Sequence, residues 1–180
     1  YGENNLVYSN VISYLHNEYT EEGVLFDGNN PQPYAFDTIP WNDHTSVGNM
    51  VINNTFYDVA GAIALHDTAD TVYNNLYANN LITNWTSDTT VLGIYGGLYD
   101  YTNGINYVMN NGFYAEGRTD HIVADNKAYK AEDVNNAMTG YSGNVFADPL
   151  FLNADLTLTG KNVRQDFTLS NASPMRYAGL

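Results

Sequence analysis

Carboxylates are the residues of this chain best suited to do chemistry. Asp67 and Asp70 follow the apolar run Ala62–Leu65, in His66-Asp67-Thr68-Ala69-Asp70. Glu116 and Asp120 flank Arg118 in Glu116-Gly117-Arg118-Thr119-Asp120-His121. Two carboxyl groups facing each other across a groove can hydrolyse a glycosidic bond, and their separation decides retention or inversion. Asp67, Asp70, Glu116 and Asp120 are therefore the candidate catalytic residues. The plainer role of an acidic turn residue is to cap backbone N–H groups or to face water. Aromatic side chains supply the matching binding surface. Trp41, Trp85, Tyr95 and Tyr99, with Tyr101 and Tyr114 nearby, fall in or beside segments that read as loops. Sugars stack their C–H faces on such rings while amides and carboxylates take the hydroxyls. His66, Arg118 and His121 adjoin the carboxylates and complete the candidate substrate-binding set. The competing role for the tyrosines is a stacked outer ladder that stiffens the fold.

Other chemistries are poorly served. None of the four histidines has the i, i+4 spacing of a helical zinc site, so no metal ligand is assigned. Asp27-Gly28-Asn29 and Asp125-Asn126 offer hard oxygen ligands without a twelve-residue loop ending in Glu. Calcium is thus the one cofactor left open. With no cysteine there are no disulfides, no thiolate zinc sites and no thiol nucleophiles. Asn53, Asn84 and Asn171 head Asn-x-Ser/Thr sequons. Asn84 is the expected glycan site, because Asn53 lies inside a repeat and reads as buried.

The charge balance narrows the partners. The chain has 180 residues, 20 acidic against 6 basic, for a net charge of -14. All six cations come after residue 117. Phosphate backbones and anionic membranes both demand a basic surface, so neither is an expected partner. No apolar run reaches the ~18 residues of a membrane span. Arg118 with Lys127 and Lys130 is the only basic cluster before the tail, too little for a polyuronate, which ranks a lyase below a glycosidase.

The elements that must position these residues are short strands. The chain holds 26 asparagines. Asn tolerates the left-handed backbone region and caps turns with its own side chain. One phrase recurs: two or three apolar residues, paired Asn, then an apolar residue. It appears as Met50–Phe56, Thr71–Tyr77 and Tyr107–Phe113, and more loosely as Leu6–Ile12 and His121–Asn126. Matching Asn54 to Asn75 gives a spacing of 21 residues. A period near 20 with short strands signals a solenoid. A β-sandwich is the rival, but it requires hairpin turns and alternation. Inward Asn at bends would bond along the stack, with outward Tyr and Thr forming stripes. The best helical candidate is short, about Ala131 to Met138.

Gly48–Tyr57, followed by Gly61–Leu65, resembles right-handed parallel β-helix proteins of the pectin-lyase-like superfamily. Asn144–Phe151 and Asp166–Pro174 resemble the closing turns of secreted, carbohydrate-active members. The resemblance implies one all-β domain over 1–180, a right-handed parallel β-helix solenoid with loop insertions. Residues 20–46 and 85–104 are the expected insertions, and 144–180 close the structure. It also implies, by the family's lyases, a proton-abstracting role for Arg118. Since Tyr1 is not an initiator Met and begins mid-pattern, a mature or excised segment is expected. The leading expectation is an extracellular or cell-surface protein engaging a polysaccharide, glycosidase-like. The alternative is a non-catalytic structural subunit of a filament, spike or surface layer, self-associating end to end through exposed strand edges.

Overall fold

The paired-Asn phrases do produce short strands, and parallel pairing joins them. The computed structural model describes residues 4–15, 34–38, 46–59, 61–66, 72–84, 92–95, 104–118, 122–124, 127–154 and 166–177. The chain first lays down β1 (Leu6–Tyr8), β2 (Val11–Leu15) and β3 (Tyr34–Thr38). A second level has β4 (Ser46–Val47), β5 (Met50–Ile52), β6 (Thr55–Val59) and β7 (Gly61–His66). The third has β8 (Val72–Tyr73), β9 (Leu76–Ala78), β10 (Leu81–Thr83) and β11 (Leu92–Tyr95). The fourth has β12 (Tyr107–Met109), β13 (Gly112–Tyr114) and β14 (Ile122–Ala124). Then come β15 (Lys127–Tyr129), α1 (Ala131–Ala137), β16 (Tyr141–Ser142) and β17 (Val145–Phe146), and finally β18 (Phe151–Asn153) and β19 (Asp166–Leu169).

Three five-stranded sheets result: β1-β5-β9-β12-β16, β2-β6-β10-β13-β17 and β3-β7-β11-β14-β15. Pairing within them is parallel except between β14 and β15. Like positions therefore stack. In the first sheet Val7, Val51, Tyr77, Val108 and Tyr141 align in one column. In the second Ile12, Phe56, Ile82, Phe113 and Phe146 do so. The buried members of these two columns, with Val59, Ala62, Ala115, Ile122, Ala131 and Val134, make the core, and Val7, Ile12 and Phe146 pack against it at the ends. Phe56, Ile82 and Phe113 are wholly enclosed. Burying each such side chain stabilises by about 1.5–3 kcal/mol. Tyr77 and Tyr141 therefore sit in the inner column, not in the outward stripe expected of tyrosines, because their aligned neighbours are core valines.

The bends between strands explain the asparagines. Ser9, Asn53, Asn79, Asn110 and Gly143 all have positive φ and all lie between the first and second sheets. Each is followed by an Asn (Asn10, Asn54, Asn80, Asn111, Asn144) that belongs to a ladder described below. Gly143 stands where a Cβ would strike the Asn110 side-chain oxygen.

The structure corrects the repeat alignment. Asn54 bonds to Asn80, not Asn75, an offset of 26 residues, and Asn75 bonds to Asn49. Each level has two Asn bends, and the sequence phrase matched the second bend of one level to the first of the next. His121–Asn126 is not a fifth copy either, since β14 belongs to the third sheet. The segments read as insertions each contribute a strand: β3 falls inside 20–46 and β11 inside 85–104, both completing the third sheet against β7. The expected helix is there as α1.

The outer face of the second sheet is covered by the C-terminal segment. β18 and β19 form an antiparallel ribbon. Phe167 packs against Tyr57 with ring centroids 5.1 Å apart and planes tilted by 50°, and meets Phe151 edge-on at 5.2 Å. Further along, Met175 lies over Gly112, where a Cβ would come within 2.6 Å of its sulfur.

Candidate functional site

Two ladders of asparagine run along the stack, and they are the most ordered polar array among the described residues. In the longer one the backbone N–H and Nδ2 of Asn10 donate to Oδ1 of Asn54. Asn54 donates likewise to Asn80, Asn80 to Asn111, and Asn111 to Asn144, at 3.0–3.2 Å. The second Nδ2 hydrogen bonds a backbone carbonyl of the inner column: Val7 for Asn54, Val51 for Asn80, Tyr77 for Asn111, Val108 for Asn144. The shorter ladder runs Asn5, Asn49, Asn75, Asn106 with the same polarity. Asn54, Asn75, Asn80, Asn111 and Asn144 are all buried. Each amide thus answers backbone groups that a bend would leave unpaired, which is costly in an interior.

The two ends of the stack differ. At the far end Asn144 donates its N–H and Nδ2 to Oδ1 of Asn135, which lies on α1 and returns a 2.8 Å bond to the Asn144 carbonyl. Glu132, also on α1, accepts the Phe146 N–H at 2.6 Å on edge strand β17. Ala131 and Val134 plug the core beneath. The helix therefore satisfies the last level with side chains in place of another strand. At the near end β1 and β2 are the edge strands among the described residues. Leu6 and Val11 are 61% exposed and Tyr8 54%. Oδ1 of Asn5 and Asn10 accepts no hydrogen bond among the described residues.

Four of the candidate catalytic and binding residues fall among the described residues: His66, Tyr95, Glu116 and Arg118. Asp67, Asp70, Asp120, Trp41, Trp85, Tyr99 and His121 lie outside the described residues. His66 ends β7 and Tyr95 ends β11, and the two are register neighbours. Thr38, at the end of β3, aligns with Leu65 beside them. Glu116 and Arg118 leave β13 in a tight turn, where the Arg118 N–H bonds the Ala115 carbonyl at 3.3 Å. They precede β14, whose Ile122 aligns through Leu92 with Ile63. His66 is three residues further along that strand, about 10 Å at strand spacing. His66 and Tyr95 thus stand at the C-terminal ends of their strands, and Glu116 and Arg118 lead into the opposite, N-terminal end of β14. Glu116 is exposed and Arg118 half-buried. Partial burial raises the Tyr114 hydroxyl above its usual pKa, aided by the negative fields of Asp148 and Glu116.

Asn84 is half-buried with φ of 52° and donates its N–H to the Tyr114 carbonyl. Asn53, expected to be buried, is exposed, because the left-handed residue of the bend points outward and Asn54 takes the inward place. Ser9 and Asn53 hydrogen bond the Tyr8 hydroxyl and hold its pKa below the usual value.

The sequence reading missed two features. Asn135 lies in a helix and carries no repeat signature, so its ladder role was invisible. Asp58 is fully enclosed at φ 51°, level with Asn84; the only hint was its place between the apolar Tyr57 and Val59. No group of three or more potential metal-binding side chains occurs among the described residues. No helix described is long and apolar enough to cross a membrane. No protein-family model matches the chain, and neither does any curated protein or solved structure.

Proposed function

We propose that this chain is a section of right-handed parallel β-helix that serves as a non-catalytic structural element of an extracellular or cell-surface assembly. The single observation that carries the reading is the pair of buried asparagine ladders, which commit the bends to holding levels together. A buried amide with every donor engaged along the stack has none left for a substrate. The 14 surplus negative charges keep such a rod soluble and suit a surface in contact with water. The likeness of its repeat phrases to pectin-lyase-like proteins fits the scaffold and leaves activity open, since fold does not imply function. Sizing the native material and screening it for reducing-end release on plant and microbial glycans tests this. Large assemblies with no release are expected; a monomer that releases sugar overturns the reading.

A second reading is polysaccharide engagement by a glycosidase-like site at the C-terminal ends of β7 and β11. The register pairing of His66 with Tyr95 favours it. Asp67 and Asp70 follow His66 in the chain, and Tyr99 follows Tyr95. Binding to a glycan array, lost in His66→Ala and Tyr95→Ala, is its expected signature. Unchanged array binding in both variants removes it.

A further inference from the structure

We propose that the open end, formed by β1 and β2, docks one further strand–bend–strand segment that carries two asparagines five residues apart and adds in parallel. The inference rests on the structural reading above and names its partner.

The ladders fix the chemistry of that partner. From Asn5 and Asn10 up to Asn144, every amide-to-amide bond runs from the lower-numbered donor to the higher-numbered acceptor, and only Asn144 donates back, to Asn135. The open end therefore presents two acceptors, Oδ1 of Asn5 and of Asn10, and asks for paired N–H and Nδ2 donors. The spacing is set as well. Asn5/Asn10, Asn49/Asn54, Asn75/Asn80 and Asn106/Asn111 are each five residues apart in the chain. A partner with the same spacing meets both acceptors at once. The apolar surface agrees. Val7 and Ile12 are only half-buried, whereas Val51 and Phe56, one level in, are 5% and 0% exposed. Another level would cover them.

A second copy of this chain is a poor occupant. Head to tail, it would have to offer Asn144, whose donors Asn135 already takes. Head to head, it would set side-chain oxygens against side-chain oxygens. The occupant is therefore a strand–bend–strand segment of a different protein, read by its asparagines.

A labelled peptide copying residues 49–59 is titrated into the full chain. Fluorescence anisotropy reports binding, and amide hydrogen exchange reports protection at Leu6–Tyr8. Saturable binding with slowed exchange in β1 is expected, and a peptide with both N49A and N54A should bind about tenfold more weakly. Val7→Lys in the protein should abolish binding. Slow exchange at Val51, Tyr77 and Val108 certifies that the variant's stack is intact. The proposal is overturned by absent binding, by binding indifferent to the asparagines, by β1 amides already protected in the free chain, or by a dimer that excludes the peptide. Fast exchange at Val51, Tyr77 and Val108 in the unmodified chain defeats the structural reading itself. Slow exchange there without peptide binding defeats the docking alone.

Discussion

The two ends of this stack solve the same problem differently. Both expose strand edges, whose unpaired N–H and C=O groups invite further pairing. At the far end a helix of seven residues supplies Asn135 and Glu132 to the ladder and to β17. At the near end the ladder stops on two amide oxygens with nothing described above them. A helix can thus end a sheet by presenting side-chain amides in the geometry of the next strand, and growth is then allowed in one direction only.

Substitutions within and at the ends of the ladders test that contrast. The largest effect should come from the middle. Asn111→Leu strands the buried Asn80 N–H and the Tyr77 carbonyl and should cost about 3 kcal/mol or more, with Asn10→Leu at the open end costing about 1. Urea midpoints for the two variants check this; equal losses would remove the distinction between interior and edge. Next is the helix. Asn135→Ala leaves the Asn144 donors unanswered and should cost about 2 kcal/mol, and Glu132→Gln, which weakens one exposed bond, about 0.5–1. If Asn135→Ala unfolds like the parent protein, the helix is no cap.

Backbone strain comes third. Gly143→Ala meets both φ of 64° and the Asn110 oxygen, while Gly117 has φ of 75° and open space around it. The left-handed penalty is about 1–2 kcal/mol for each, so any excess at Gly143 measures the clash. Thermal unfolding of the two variants gives the difference directly.

The smallest effect lies outside both ends, in the covering ribbon. Hydrogen bonds from the Thr168 side chain and backbone, then from Asn153, hold the Asp166 pKa below its ordinary 3.8. A folded value below the unfolded one contributes stability above the unfolded pKa. That contribution is lost as pH falls from about 4 through the lower folded value. Acid titration followed at the Thr168 amide should show this step, and Asp166→Asn should lack it.

Much of the architecture is legible in the residues, because paired asparagines have few reasons to recur in apolar surroundings. Their register is not legible. Asn53-Asn54 and Asn74-Asn75 look alike as letters, yet one spans the second bend of its level and the other the first. Only the offsets between levels, 26 for Asn54 to Asn80 and 31 for Asn80 to Asn111, reveal the variable connections into and out of the third sheet. Tyr77 shows a second limit. A tyrosine between Leu76 and Ala78 reads as amphipathic, and its inward direction follows from Val51 and Val108 on either side of it in space. The candidate carboxylates stay beyond reach for a related reason: bends obey local chemistry, whereas the geometry of a groove depends on segments joined at long range.

The one-way polarity of the amides also bears on how the molecule is made. A ribosome delivers Asn10 before Asn54, and Asn54 before Asn80, so each new turn of nascent chain brings the acceptor that its predecessor awaits. Assembly can follow synthesis in step, without waiting for the C-terminus. The exception is the last pair, where Asn135 emerges ahead of Asn144. The stopper is already present when the final amide arrives.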